Sequence, residues 1–198
     1  MPRNQEENER IRNKTKEKII QTAMELFIRQ GYHATSISAV ANEAGISKGL
    51  LYNYYKGKEE LIATMVNMRI QNVAEVIEGA RTLKNPDKQL KYIIEHAIHN
   101  VYKEPQVFRF YLHLQTQPIE DEVLIKYSQI LIEENARQFE IQCQIFEELG
   151  VDEPKKRSLY FSSTLQGVML MISTYPNQFP IEEIKEQVVS EFCDTHLK

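Results

Sequence analysis

Between Lys48 and Lys58 the run KGLLYNYYKGK places three cations, three tyrosines and an asparagine in eleven residues. Ammonium and phenol groups donate hydrogen bonds to phosphate oxygens, so Lys48, Tyr52, Tyr54 and Lys58 are candidates for contacts to an anionic backbone. A carboxamide both donates and accepts, and Asn53 can therefore read base edges. Gly49 has no side chain, which lets a base or sugar approach the main chain. Ser36 and Ser47 fall where short helices begin, and free N–H groups at helix starts bind phosphate. Each residue has a plainer fate when taken singly: a tyrosine half-buried in packing, a lysine solvated. Their combination favours a surface that meets a duplex.

The hydrophobic spacing that must position these groups is helical almost throughout, and no segment alternates with the period of a strand. A first helix is expected from about Arg10 to Gln30, with Ile19, Ile20, Ala23 and Phe27 on one stripe and Gly31 closing it. Met1 to about Glu9 is read as a disordered start. Ser36 caps a second helix, Ile37 to Ala44, whose Ile37, Val40, Ala41 and Ala44 turn inward. Gly45 makes a turn, Ile46 plugs the corner, and Ser47 caps a third helix through about Tyr55. Two short helices around AGIS are what a helix-turn-helix requires. In the third helix Leu51 and Tyr55, four residues apart, share the inward face, while Gly49, Tyr52, Asn53 and Lys56 point outward. A fourth helix follows Gly57, with Glu59 and Glu60 at the positive end of its dipole.

The linker TLKNPDKQ precedes a fifth helix opened by Asn85 as cap and Pro86 as its first residue. Pro105 breaks that helix near Glu104, and Pro118 ends a short sixth element. Long helices follow from about Ile119 to Leu149, Pro154 to Ser173 and Ile181 to Phe192.

Charge separates the chain into two parts. Arg10 to Lys58 holds nine Lys/Arg against three acids, a balance of +6, so the other 149 residues carry −10 of the overall −4. A basic head on an acidic body places an anionic partner at the head, unless the clustering is chance. No apolar run is long enough to span a membrane, and the N-terminus lacks a signal-peptide core. Cys143 and Cys193 form no disulfide framework, which suits a cytoplasmic protein.

The stretch TAMELFIRQGYHATSISAVANEAGISKGLLYNYYKGKEELI, Thr22 to Ile62, resembles the DNA-binding region of the TetR family of transcriptional regulators. The likeness runs through Ala23, Phe27 and Gly31, the T-S-I entry at Thr35 to Ile37, the A-x-x-A-G turn, the S-x-G-x-L-Y-x-Y-aromatic helix and the K-E-x-L start of the next. Leu50 stands where the family often carries a small or hydroxyl residue, a departure that bears on operator sequence. Tyr55 replaces a usual phenylalanine. The resemblance implies an all-α chain with an N-terminal three-helix DNA-binding domain and a larger helical C-terminal domain that binds ligand and dimerises. The corresponding divisions are residues 1–58, a connecting helix over 59–81, and 82–198. It further implies a homodimer on a palindromic double-stranded operator, commonly repressing, and released by a small apolar or aromatic effector. The DNA-binding set is Ser36, Ser47, Lys48, Gly49, Leu50, Tyr52, Asn53, Tyr54 and Lys58.

In the body, Tyr92, His96, His99, Phe108, Tyr111, Phe139 and Phe161 are expected to line the effector cavity, although aromatics at helical spacing are more often plain core. Small residues Ser162, Ser163 and Gly167, with a stripe of Ile181, Ile184, Val188 and Phe192, suit either a four-helix dimer interface or the chain's own core. His96 and His99 sit three apart, but no flanking acid or cysteine completes a metal site, and no cofactor is expected. Phosphate loop, nucleophile elbow and HExxH motifs are absent from the sequence, which argues against an enzyme. An interaction module with a basic protein- or membrane-binding head is the other alternative, and a salt-dependent duplex mobility shift separates it from a DNA-binding regulator.

Overall fold

A computed structural model describes residues 5–116, 121–175 and 179–193, and within them every regular element is a helix. In chain order these are α1 (Gln5–Gln30), α2 (Ile37–Glu43), α3 (Lys48–Tyr52), α4 (Lys58–Arg81), α5 (Pro86–Lys103), α6 (Pro105–Thr116), α7 (Glu122–Glu148), α8 (Pro154–Thr174) and α9 (Ile181–Cys193). Among the described residues no helix is long and apolar enough to cross a membrane.

The stops follow local chemistry. Gly31, Gly45 and Gly150 take positive φ (83°, 67° and 76°), the left-handed region in which a Cβ is strained. Pro105 separates α5 from α6. Three expectations change. The segment from Gln5 to Glu9 is already helical, because α1 carries Glu6 and Glu7 in its first turn, where the dipole favours acids. Asn85 has cap geometry but no side-chain cap bond. Helix α7 starts at Glu122 because Asp121 accepts from the Leu124 N–H at 2.9 Å. Ile119 and Pro118 lie outside the described residues.

Two apolar cores form. The first draws on α1 to α4 (Ile19, Phe27, Val40, Leu51, Leu61, Met65), on α6 (Phe110, Tyr111, Leu114) and on α7 (Leu124, Tyr127, Leu131). Phe27 and Phe110 stack across it with centroids 6.5 Å apart. The second core joins α4, α5, α7, α8 and α9 around Phe146, Phe161 and Phe192. These rings meet edge-on, with centroids 5.8, 6.3 and 5.1 Å apart. Emptying such a site, as in Phe161→Ala, typically costs about 3–5 kcal/mol. The head therefore packs on the body through the first core, while the second belongs to the body alone.

Candidate nucleic-acid interface

The pair α2–α3 is fixed by short-range bonds. Ser36 Oγ accepts from the Ala39 N–H at 3.0 Å, and Ser47 Oγ accepts from the Leu50 N–H at 3.1 Å. Both serines are therefore helix caps, and their oxygens are committed to that role. Between the helices, Ile46 N–H donates to the Ala41 carbonyl at 3.0 Å, and the Ile46 side chain packs against the first core. Arg29 of α1 grips both oxygens of Glu43 at 3.0 and 2.8 Å, tying α2 back to α1. Thr35, read from sequence only as part of the entry to α2, is buried and donates to the Gly31 carbonyl at 2.8 Å. Its position directly before a cap serine was the available signal.

Leu51 and Tyr55 are buried, as their spacing required. Opposite them Lys48, Gly49, Leu50, Tyr52, Asn53 and Lys56 are all exposed. Tyr52 is 47% exposed, and the Lys48 ammonium lies 5.9 Å from its ring centroid, so the two act from one patch. A Cβ at Gly49 would meet nothing within 4 Å. The fold thus imposes no glycine there, and open space faces the backbone at that position.

Two members of the expected set sit elsewhere. Tyr54 is half-buried and packs against the first core. The Lys58 ammonium is turned inward: it donates to the carbonyls of Tyr32 at 2.7 Å and His33 at 3.2 Å, and lies 4.6 Å from the Tyr32 ring centroid. Burial pushes its pKa down, and nearby Asp121 offsets part of that shift. Lys58 holds the turn after α1 in place, because three partners converge on it that sequence spacing could not reveal.

A polar seam runs beside this turn, joining head to body. His33 Nε2 lies 3.3 Å from Asp121 Oδ2, and Lys126 Nζ donates to Glu59 Oε1 at 3.0 Å. The bond to Glu59 is the leading cause of a raised Lys126 pKa. Tyr32 is also raised, chiefly by burial and then by the charges of Asp121 and Glu59. Along α1, Arg10, Arg12, Lys14 and Lys18 are helical and exposed.

The body does not gather the expected aromatics around one cavity. Tyr111 belongs to the first core and Phe161 to the second, while Tyr92 and Phe108 pack at the edge of the second. Tyr92 stacks on His96 at 3.7 Å, and His96 Nδ1 lies 2.8 Å from the Tyr92 carbonyl. His99 is exposed, and Phe139 is half-buried outside both cores. A cleft of about 150 Å³ opens instead between α4, α5 and α7, floored by Ile77, Ala80, Ile93, Ile141 and Ile145. Among the described residues no group of three or more His, Cys, Asp or Glu could hold a metal ion.

The α9 stripe turns inward, with Val188 and Phe192 buried in the second core. Ser162 also faces its own chain and donates to Gln142 Oε1 at 2.7 Å. What α8 leaves outside is a different stripe, with Leu159, Leu170 and Met171 59%, 42% and 43% exposed around Ser163 and Gly167.

Residues 19–65 match the family model for bacterial regulatory proteins of the tetR family. The chain is 39% identical over 93 residues to the uncharacterized HTH-type transcriptional regulator YuxN of Bacillus subtilis, a match covering 43% of this chain and 31% of that protein. It is 27% identical over 107 residues to the HTH-type transcriptional activator FasR of Mycolicibacterium smegmatis, covering 54% and 49%. These matches span about a third to a half of the relatives' own length. A TetR-like transcriptional regulator from Rhodococcus sp. RHA1 superposes with a TM-score of 0.73 at 20% identity, over 89% of this chain and 92% of that one.

Proposed function

Because this chain belongs to the tetR family of bacterial regulatory proteins, we propose that it represses transcription as a homodimer on a palindromic duplex and is released by a small apolar or aromatic effector. Residues 1–58 read DNA, 59–81 connect, and 82–198 hold the effector and the dimer contact. The observation that carries the reading is the exposed Lys48, Gly49, Tyr52 and Asn53 face on a capped helix that follows a positive-φ glycine turn. Asn53 supplies the base-edge contact, and Lys48 and Tyr52 supply phosphate contacts. Leu50, 38% exposed, adds an apolar contact to the same surface.

The exposed α8 stripe supports the dimer. Gly167 lies mid-helix and, among the described residues, a Cβ there would meet nothing within 4 Å, so no contact with them requires the roughly 1 kcal/mol that glycine costs against alanine. Close approach of a second copy does require a small residue. Two α3 helices can then enter successive major grooves about 34–36 Å apart. The α4–α5–α7 cleft supports an effector whose contacts move α4. A ligand preferring another separation of the heads weakens DNA binding by its difference in affinity for the two states.

Duplexes selected from a random pool provide the test, with mobility shifts across a salt series. Tyr52→Ala and Lys48→Ala should weaken binding while leaving the helical spectrum intact, and Lys48→Ala should reduce the salt slope by about 0.9, one phosphate contact. Unchanged affinity in both folded variants removes α3 from the interface. A promoter–reporter pair carrying the selected duplex gives the sign of control.

A further inference from the structure

Five cations precede the first buried residue of α1, and three of them, Arg10, Lys14 and Lys18, recur at intervals of four. They share one face of the helix over about 12 Å, and all three are exposed. Three and four residues either side of Lys18 stand Lys14, Thr15, Gln21 and Thr22, so α1 offers it no acid at pairing distance. Among the described residues no carboxylate from another helix pairs with it either. Like charges four residues apart destabilise a helix, and an anion laid along the row would relieve that repulsion.

Lys18 differs from the other cations of the row in where its ammonium lies. Its Nζ is 3.7 Å from the position that a Cβ on Gly45 would take, at the turn between α2 and α3. Ile19 and Ile20, next along the chain, are buried in the first core, so the backbone that carries Lys18 is packed into the head. Three residues separate Gly45 from Lys48, which holds their Cα atoms within about 11 Å. Lys18 therefore sits beside the end of α3 that carries Lys48. A plainer role would be to neutralise the C-terminal end of α2, where the helix dipole favours a cation. The carbonyls there are already occupied, however: Val40, Asn42 and Ala41 accept from the Ala44, Gly45 and Ile46 N–H groups at 2.9, 3.0 and 3.0 Å.

We propose that Lys18 is a phosphate anchor of the DNA interface, placed beside the α2–α3 turn, and that Lys14 and Arg10 extend it along the flank of the duplex. The proposal rests on the reading of α3 as the DNA-contacting helix and adds a second element to that interface. An ammonium on a flexible stem meets phosphate as a point charge. Such contacts fix register and orientation and carry no sequence information, so α1 holds the head in place while α3 reads bases.

The test uses the full-length protein, with mobility shifts across a salt series on the selected duplex and on a scrambled duplex of the same length and composition. Lys18→Gln should lower the salt slope by about 0.9 for each half-site bound, the value for one phosphate contact. It should weaken both duplexes by the same factor and melt no lower than wild type. Lys18→Arg keeps the charge and should restore the slope. Lys88→Gln, at an exposed position on α5, should leave it unchanged. Lys14→Gln, on the same face, should lower the slope like Lys18→Gln and carries the test if that variant fails to fold. An undiminished slope in folded Lys18→Gln overturns the anchor, and a lower melting temperature beside it assigns the ammonium to the end of α2. Weakening confined to the selected duplex overturns the phosphate assignment in favour of a base contact. Lys48→Ala separates the two layers of argument. A slope lowered by Lys48→Ala alone keeps α3 and refutes the anchor, whereas one lowered by Lys18→Gln alone keeps the anchor and refutes the α3 reading.

Discussion

Replacing Lys58 by methionine separates two accounts of the same residue. Spacing alone makes Lys58 a phosphate contact, whereas its ammonium in fact donates to the Tyr32 and His33 carbonyls at 2.7 and 3.2 Å beneath the head. Hydrogen bonds from a charged donor contribute about 1.5–3 kcal/mol each when well buried. Lys58 is only half-buried, and the desolvation that lowers its pKa offsets part of the gain. The two bonds together are then worth about 1–2 kcal/mol, and the cation over the Tyr32 ring adds about 0.5–1. Lys58→Met should therefore destabilise the protein by about 2 kcal/mol. In urea, with a slope near the upper part of the usual 1–3 kcal/mol/M, the midpoint falls by about 0.7–1 M. The salt slope of DNA binding should stay at the wild-type value, in contrast to Lys48→Ala. An unchanged urea midpoint with a slope reduced by about 0.9 would return Lys58 to the phosphate backbone and refute the argument.

Tyr111→Phe deletes a buried hydroxyl whose acceptor, the Met65 carbonyl, lies inside α4, so the loss should be about 1 kcal/mol at neutral pH by chemical denaturation. Burial raises the Tyr111 pKa, with Arg69 pulling it down and Glu104 pushing it up. Its stability contribution is present below the ordinary phenol value near 10 and is lost as pH rises toward the folded value, so the gap between wild type and Tyr111→Phe should shrink above about pH 10. Leu170→Glu on the exposed α8 stripe should yield monomers in sedimentation without lowering monomer helicity, and dimers of unchanged affinity would move the interface elsewhere. Removing residues 5–14, all exposed on α1, should reduce affinity for every duplex alike, and a selective loss on the preferred duplex would mean that this segment reads bases.

The head was largely legible because its determinants are local. Ser36, Gly45 and Ser47 act within three or four residues of themselves, so sequence order specifies their partners. The inward Leu51 and Tyr55 follow from one helical repeat. The body was less legible because its partners come from distant segments. Phe161 and Tyr111 have the composition of pocket residues, yet Phe161 meets Phe146 and Phe192 at edge-on distances, and Tyr111 reaches back to α4. The α9 stripe could face either its own chain or a second copy, and periodicity cannot choose between two apolar surfaces. Lys58 illustrates the same limit for charge: its ammonium is consumed by carbonyls 25 and 26 residues away.

How the body reaches the head is decided by magnitudes. The seam pairs are largely open to solvent, His33 by 69% with a half-buried Asp121 at 24%, and Lys126 by 57% with Glu59 by 52%. Exposed pairs contribute about 0.2–1 kcal/mol each, too little to carry a coupling typically worth about 1–3 kcal/mol. The first core is better placed. Phe110, Tyr111 and Leu114 of α6 share it with Phe27 of α1 and Met65 of α4, so a shift of α6 cannot leave both helices where they were. Close-packed side chains rearrange between discrete arrangements and do not deform smoothly. Arg69 stands one turn beyond Met65 on α4, 5.9 Å from the centroid of the Tyr111 ring, so α4 and α6 also meet there. On the proposed effector reading, the seam orients the head and the shared aromatic core transmits the change.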